Sequence, residues 1–309
     1  MLQSFGRYRW GTLAVAAATV LAGLAGWGLG RAAPAAPRGA APHAPTQLTP
    51  TPRRIVSLNA CADQYLIALA DKGQIAALTQ YARDPSLSFY AARARDYPTS
   101  QGQAEAVLAL RPDLVIASPF RRAEVQALLK GRVKVLSLKP AESFADVVRE
   151  TRQVATAIGH PERGEALVAQ MQTRVDAAGR RPVGGVAAHY QRGGFITGPG
   201  TLMDDLMTRA GLANLARRLN GKSIGHLSLE QIVYARPDYL IQTDGAARGQ
   251  DEGSLTLDHP ALNDAVPPQR RLHIPAALTV CGGPSYPDAL ERLQAEADRA
   301  RASSAKPAR

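Results

Sequence analysis

The residues with chemistry to offer are few. Cys61 and Cys281 are the only thiols among 309 residues. Each follows a short apolar strand and opens a helix, where the helix dipole lowers a thiol's pKa and favours thiolate. That placement suits thiol redox chemistry or grip on a soft metal, so a redox or metal-handling protein using Cys61 and Cys281 is one reading. The six histidines, at 43, 160, 189, 226, 259 and 273, show no ligand spacing. His160 and His259 precede proline and punctuate loops, and His226 is the one placed to face a cleft. No G-x-S-x-G elbow, G-x-x-x-x-G-K-[ST] loop or H-E-x-x-H helix occurs. Gly193-Gly194 and Gly198-x-Gly200 are too short for a dinucleotide fingerprint and read as turns. The residues point to binding rather than catalysis.

Those residues must be positioned by an α/β framework, and the chain writes its unit twice. Glu105 to Ile116 reads E-A-V-L-A-L-R-P-D-L-V-I and Glu230 to Ile241 reads E-Q-I-V-Y-A-R-P-D-Y-L-I. Each is a short amphipathic helix stopped by proline, then an apolar run of the kind a parallel sheet covered on both faces requires. Two copies 125 residues apart predict two similar α/β lobes. Strands are expected at Ile55–Leu58, Ile75–Leu78, Leu114–Ala117, Val133–Leu138, Val183–His189, Phe195–Thr197, Tyr239–Ile241 and Leu272–Ile274. Asn59 caps a helix from Cys61 to Ala70, and a helix is expected over Ala123–Lys130. Pro161 opens a helix whose stripe of Ala166, Leu167, Met171 and Val175 runs to about Ala178, a rigid connector between lobes. Asn220–Leu227 reads as a loop, and Pro287–Ala300 as a closing helix. The expected fold is two lobes, each a mostly parallel sheet flanked by helices, bridged by one long rigid helix. The lobes span 53–160 and 180–300, with the connector at 161–179 and a tail at 301–309.

The chain begins with an export signature. Residues 1–10 carry Arg7 and Arg9 and no acid, and Gly11–Gly30 is uncharged and rich in Ala, Leu and Gly. Residues 1–30 therefore read as a signal peptide or an uncleaved anchor. Residues 31–52 are a Pro/Ala linker. The net charge of +11 includes four arginines and no acid before residue 53, leaving +7 on the body. No basic stripe with interleaved aromatics is present, so nucleic acid is excluded as a partner.

The ordered segments R-R-I-V-S-L-N-A-C-A-D-Q-Y-L, E-A-V-L-A-L-R-P-D-L-V-I, P-E-R-G-E-A-L-V-A-Q-M, T-G-P-G-T-L-M-D-D-L, H-P-A-L and C-G-G-P resemble the cobalamin/ferric-siderophore class of periplasmic substrate-binding proteins of ABC importers, over about residues 53–298. The resemblance implies a ligand held between two lobes, small opening motions about the backbone helix, and a monomer that delivers its cargo to an ABC permease and its ATPase. It implies that Glu105 and Glu230, one per lobe and each seven residues before the proline, dock onto the permease. The strand-end loops then supply ligand-binding candidates: Asn59, Cys61, Tyr81, Arg83, Phe120, Arg121, Tyr190, Arg192, His226, Cys281 and Tyr286. With no histidine triad there, a bare metal ion is disfavoured and no cofactor is expected. Arg83, Arg121 and Arg192 suit an anionic metal chelate, while the few aromatics offer less than a corrinoid's usual pocket. The resemblance also borders one cleft with both cysteine loops. Three outcomes stay open for them: a disulfide stapling the lobes, which needs Cα atoms within about 7 Å; ligation of a metal-bearing cargo; or two unrelated buried thiols.

Overall fold

The computed structural model describes residues 51–305 except 120–124, 126, 128, 220 and 245–254. The export segment, Phe120, Arg121 and half of the helix expected at Ala123–Lys130 lie outside the described residues. Among those described, no helix is long and apolar enough to cross a membrane.

The first lobe is built on five strands: β1 (Ile55–Ser57), β2 (Ile75–Thr79), β3 (Thr99–Ser100), β4 (Leu114–Ala117) and β5 (Lys134–Ser137). They lie in the order β3-β2-β1-β4-β5, every pairing parallel. The central strands are apolar and buried end to end, as a sheet covered on both faces demands. The second lobe has β6 (Val186–His189), β8 (Ala213–Asn214), β10 (Tyr239–Asp244) and β11 (Arg271–Pro275) in the order β11-β10-β6-β8, again parallel. In both sheets the first strand of the lobe is central and the order reverses beside it. Such a switch point, at the carboxyl ends of the strands, is where open α/β sheets hold ligands. An antiparallel ribbon of β7 (Phe195–Thr197) and β9 (Ile224–His226) stands on the second lobe. The segment read as a loop at Asn220–Leu227 thus contains a strand. The strand read from Val183 begins later, because Gly184 and Gly185 both adopt positive φ, 78° and 98°.

The repeated Arg-Pro-Asp unit has one structural job in each lobe. Arg111 and Arg236 are the described non-glycine residues with positive φ, 45° and 41°. Each ends its helix in the left-handed conformation, and proline forbids continuation. The aspartate then holds the start of the neighbouring strand. Asp113 accepts from the amides of Arg53 (2.7 Å) and Arg54 (3.0 Å), and Asp238 from that of Val186 (2.7 Å).

The helix Pro161–Gly179 runs beside the helix Phe144–Ala157, and together they serve both cores. Val154, Ala155 and Ile158 enter the first-lobe core, while Val147, Val168, Met171 and Val175 enter the second. A Cβ at Gly164 would lie 2.4 Å from that of Ala155, so glycine is required for the two helices to approach. Arg174 ties the long helix to Asp288 (3.0 Å) and Glu291 (2.7 Å) on the closing helix Tyr286–Ala305. That helix runs beyond Ala300, held by Arg301, whose Nη1 donates to the Val183 carbonyl at 2.5 Å.

Candidate ligand-binding cleft

One covalent link brings the carboxyl ends of the two sheets together. Cys61, in the helix after β1, is disulfide-bonded to Cys281, in the loop after β11, with a Cα–Cα distance of 5.3 Å. No free cysteine remains, so neither sulfur offers a thiolate to a metal. Beside the bridge the Tyr65 hydroxyl lies 3.1 Å from the Gly282 carbonyl and 3.4 Å from Glu150 Oε2. Burial pushes the Glu150 carboxyl up to about 7, and its Oε1 has no hydrogen-bond partner. Among the described residues no group of three or more His, Cys, Asp or Glu is gathered to hold a metal ion.

On the first lobe the strand ends carry hydroxyls and amides. Asn59 accepts from the Cys61 amide at 2.8 Å and caps the helix. Thr79 donates to the buried Asp63 from its amide (3.1 Å) and hydroxyl (2.5 Å). Burial pushes Asp63 up to about 6 against those hydrogen bonds. Tyr81 stands at the mouth, 42% exposed, over a small slot lined by Ser57, Thr79, Gln80, Ser100 and Gln101.

On the second lobe His189 ends β6 buried, its Nδ1 2.8 Å from Thr197 Oγ1 and its Nε2 2.9 Å from Thr243 Oγ1. Burial drops its pKa to about 4, so the ring is neutral and pins the ribbon to the ends of β6 and β10. On the ribbon Phe195 pairs with His226 and Thr197 with Ile224, while Ile196 packs into the core. Phe195 (53% exposed) and Ile224 (69%) present apolar surface outward, with His226 edge-on to Phe195 at 6.0 Å.

The candidates named from sequence divide. Tyr81, Arg192 and His226 are exposed at strand-end positions. Arg83 belongs to its own loop, its guanidinium donating to the carbonyls of Tyr97 (2.5 Å) and Ala94 (3.5 Å). Tyr190 and Tyr286 are corrections, since both are 1% exposed. Their hydroxyls are spent, on the Leu227 carbonyl at 3.0 Å and on the Asp205 carboxylate, and the Tyr286 ring packs on Phe144 at 5.0 Å. A phenol with its hydroxyl satisfied is core-forming. Phe195, Ile224, Asp63 and Thr79 were not named. A signal existed for Asp63, the one acid in a mostly apolar helix, set in its first turn. Glu105 and Glu230 are exposed in the first turns of the helices Ala104–Ala109 and Leu229–Ala235. The Ser228 hydroxyl beside Glu230 holds its carboxyl below the usual range.

Residues 55–267 match a family model described as periplasmic binding protein. The chain is 30% identical over 209 residues to a cobalamin-binding protein of Halobacterium salinarum, covering 64% of this chain and 55% of that protein. The match thus spans just over half the length of that curated relative. Among solved structures it is similar to the periplasmic heme-binding protein RhuT from Roseiflexus sp. RS-1 (TM-score 0.67, 27% identity, 80% of this chain and 99% of that one). It shares the fold of the periplasmic vitamin B12 binding protein BtuF of Vibrio cholerae (TM-score 0.61, 17% identity, 81% and 98%).

Proposed function

Because the chain belongs to the periplasmic binding protein family, we propose that it is the substrate-binding component of an ABC importer. It captures a corrinoid or ferric chelate between its lobes and delivers it to the permease. The observation that carries this reading is the exposed surface each lobe carries at its strand ends, Tyr81 on one and Phe195 with Ile224 on the other, with Cys61–Cys281 linking the carboxyl ends of the two sheets. Exposed apolar side chains at the carboxyl ends of two parallel sheets suit a flat, largely apolar metal chelate. The groups in the cleft serve binding and perform no covalent chemistry. The protein works as an exported monomer, led by the signal or anchor at its N-terminus. Equilibrium binding to cyanocobalamin, heme and a ferric hydroxamate tests the assignment. We expect a Kd of about 1 μM or tighter for at least one of them, and no binding of any would overturn it.

Glu105 and Glu230 present the loaded protein to the permease. An open hollow beside Glu230, lined by Leu229, Val233, Tyr234 and His259, offers apolar surface next to the charge. Reversing both glutamates to Lys is expected to leave ligand affinity within about twofold and to abolish stimulation of the permease's ATPase. Lost affinity with normal stimulation would refute the docking role. Because the contacts are charged, docking also weakens with added salt.

A further inference from the structure

We propose that the slot at the ends of β1, β2 and β3 is a subsite for an uncharged, N–H-bearing arm of the ligand, a primary amide of the kind that fringes a corrinoid, and that it refuses a carboxylate in the same place. This rests on the interlobe cleft being the ligand site, and it narrows the chemistry of what that site selects.

The slot has room for about one water-sized group, so size alone does not choose between an amide nitrogen and a carboxylate oxygen. Hydrogen-bond polarity does. On the inner wall the Thr79 hydroxyl gives its proton to Asp63 Oδ2 and the Ser57 hydroxyl gives its proton to the Asn59 carbonyl at 2.9 Å. Thr79 Oγ1 therefore keeps its lone pairs and no proton, and Ser57 Oγ, which already accepts from the Asn59 amide at 3.3 Å, keeps one further lone pair, so both accept. The rim is different: Gln80, Gln101 and Ser100 carry groups able to donate to an amide carbonyl. An inner wall that accepts and a rim that donates is the complement of a primary amide entering nitrogen first.

Charge points the same way. None of the lining residues is charged, and the nearest cation in sequence, Arg83, is committed to the carbonyls of Ala94 and Tyr97. Behind the inner wall stands the buried Asp63 carboxyl. A ligand carboxylate in the slot would be desolvated, would face two acceptors, and would be repelled by the charge beneath them. Selection arises as much from that penalty as from the bonds made to the amide.

The test compares three macrocycles on the intact protein: dicyanocobinamide, whose periphery carries amides; dicyanocobyrinic acid, the same ring with carboxylates; and heme. We expect cobinamide to bind at least about 30-fold more tightly than cobyrinic acid, since the buried polar mismatch acts on the acid alone. Thr79→Val keeps the shape and removes the acceptor, and should cut that ratio to about threefold or less. Should it fail to fold, Ser100→Ala at the rim should lower the same ratio. Gln101→Lys, at an exposed position, should shift the preference toward the carboxylate ring. Equal binding of amide and acid rings by the wild type, tighter binding of heme than of cobinamide, or variants that weaken both rings alike would each overturn the subsite while leaving the cleft in place. Failure of all three macrocycles while a ferric hydroxamate binds overturns the subsite alone, and failure of that chelate as well overturns the cleft reading with it.

Discussion

Glu150 is held where a charge is costly. It is 4% exposed, its Oε1 is unpartnered, and its other oxygen meets only the Tyr65 hydroxyl. Burial raises its folded pKa from an ordinary 4.5 to about 7, with Arg149 opposing. Protonation therefore favours the fold: the contribution is complete below about pH 4 and is lost as pH rises through about 7. Asp63, raised to about 6, acts in the same direction. His189, lowered to about 4, acts oppositely, contributing above about pH 6.5 and losing that contribution as pH falls through 4. Glu150→Gln keeps the bond to Tyr65 and removes the charge, so its stability relative to wild type should rise steadily between pH 5 and pH 8. Urea midpoints at the two pH values check this, and a pH-independent difference would contradict it. At this scale the sequence was only partly legible. An aromatic residue type indicates that apolar area is to be covered, but not whether a core or a ligand covers it. That is why Tyr190 and Tyr286 were read toward the cleft while Phe195, which is exposed, was passed over.

Two elements carry the geometry, the Arg-Pro-Asp unit and the β7–β9 ribbon. In each copy of the unit the arginine is strained and the aspartate is bonded, so substitutions there should have opposite signs. Asp113→Ala and Asp238→Ala free the amides of Arg53, Arg54 and Val186 and should each cost about 1–2 kcal/mol. Arg236→Gly relieves a non-glycine residue at φ 41° and should gain up to about 1 kcal/mol. Chemical denaturation of the single variants decides both, and a stabilised aspartate variant would break the assignment. The unit was legible because proline and aspartate act locally and recur at the same spacing. Of the ribbon, Phe195–Thr197 was legible and its partner Ile224–His226 was not, because that strand is three residues long with Gly225 at its centre, leaving too little alternation to read. Its exposed face makes a separable prediction. Phe195→Ala should weaken macrocycle binding roughly tenfold, in line with about 1.5 kcal/mol of apolar burial, while shifting the fold's stability by no more than about 0.5 kcal/mol. Unchanged affinity would remove the ribbon from the site.

At the scale of the whole molecule the links between the lobes include the helix Pro161–Gly179 with its partner Phe144–Ala157, the Tyr65–Gly282 contact and the Cys61–Cys281 bond. The helix was readable from its apolar stripe and from Pro161 at its start. The cysteine pairing became one of three possibilities only through resemblance, since nothing local relates residues 220 apart. Replacing both cysteines by Ser should cost about 2–5 kcal/mol and quicken ligand exchange, because the lobes would then part at the cleft's base. An unchanged urea midpoint and unchanged exchange rate would show the bond to be idle. The bond has a further effect, on connectivity. Backbone and bridge together close residues 61–281 into a covalent ring that contains the whole connector and most of both lobes. Cleaving the peptide chain once at any point within that ring opens it without dividing it, and the product stays one molecule until a reductant is added. New chain ends placed in an exposed turn inside the ring would therefore leave the two halves covalently tethered through sulfur alone, an arrangement in which the redox state of the medium decides whether they remain one molecule.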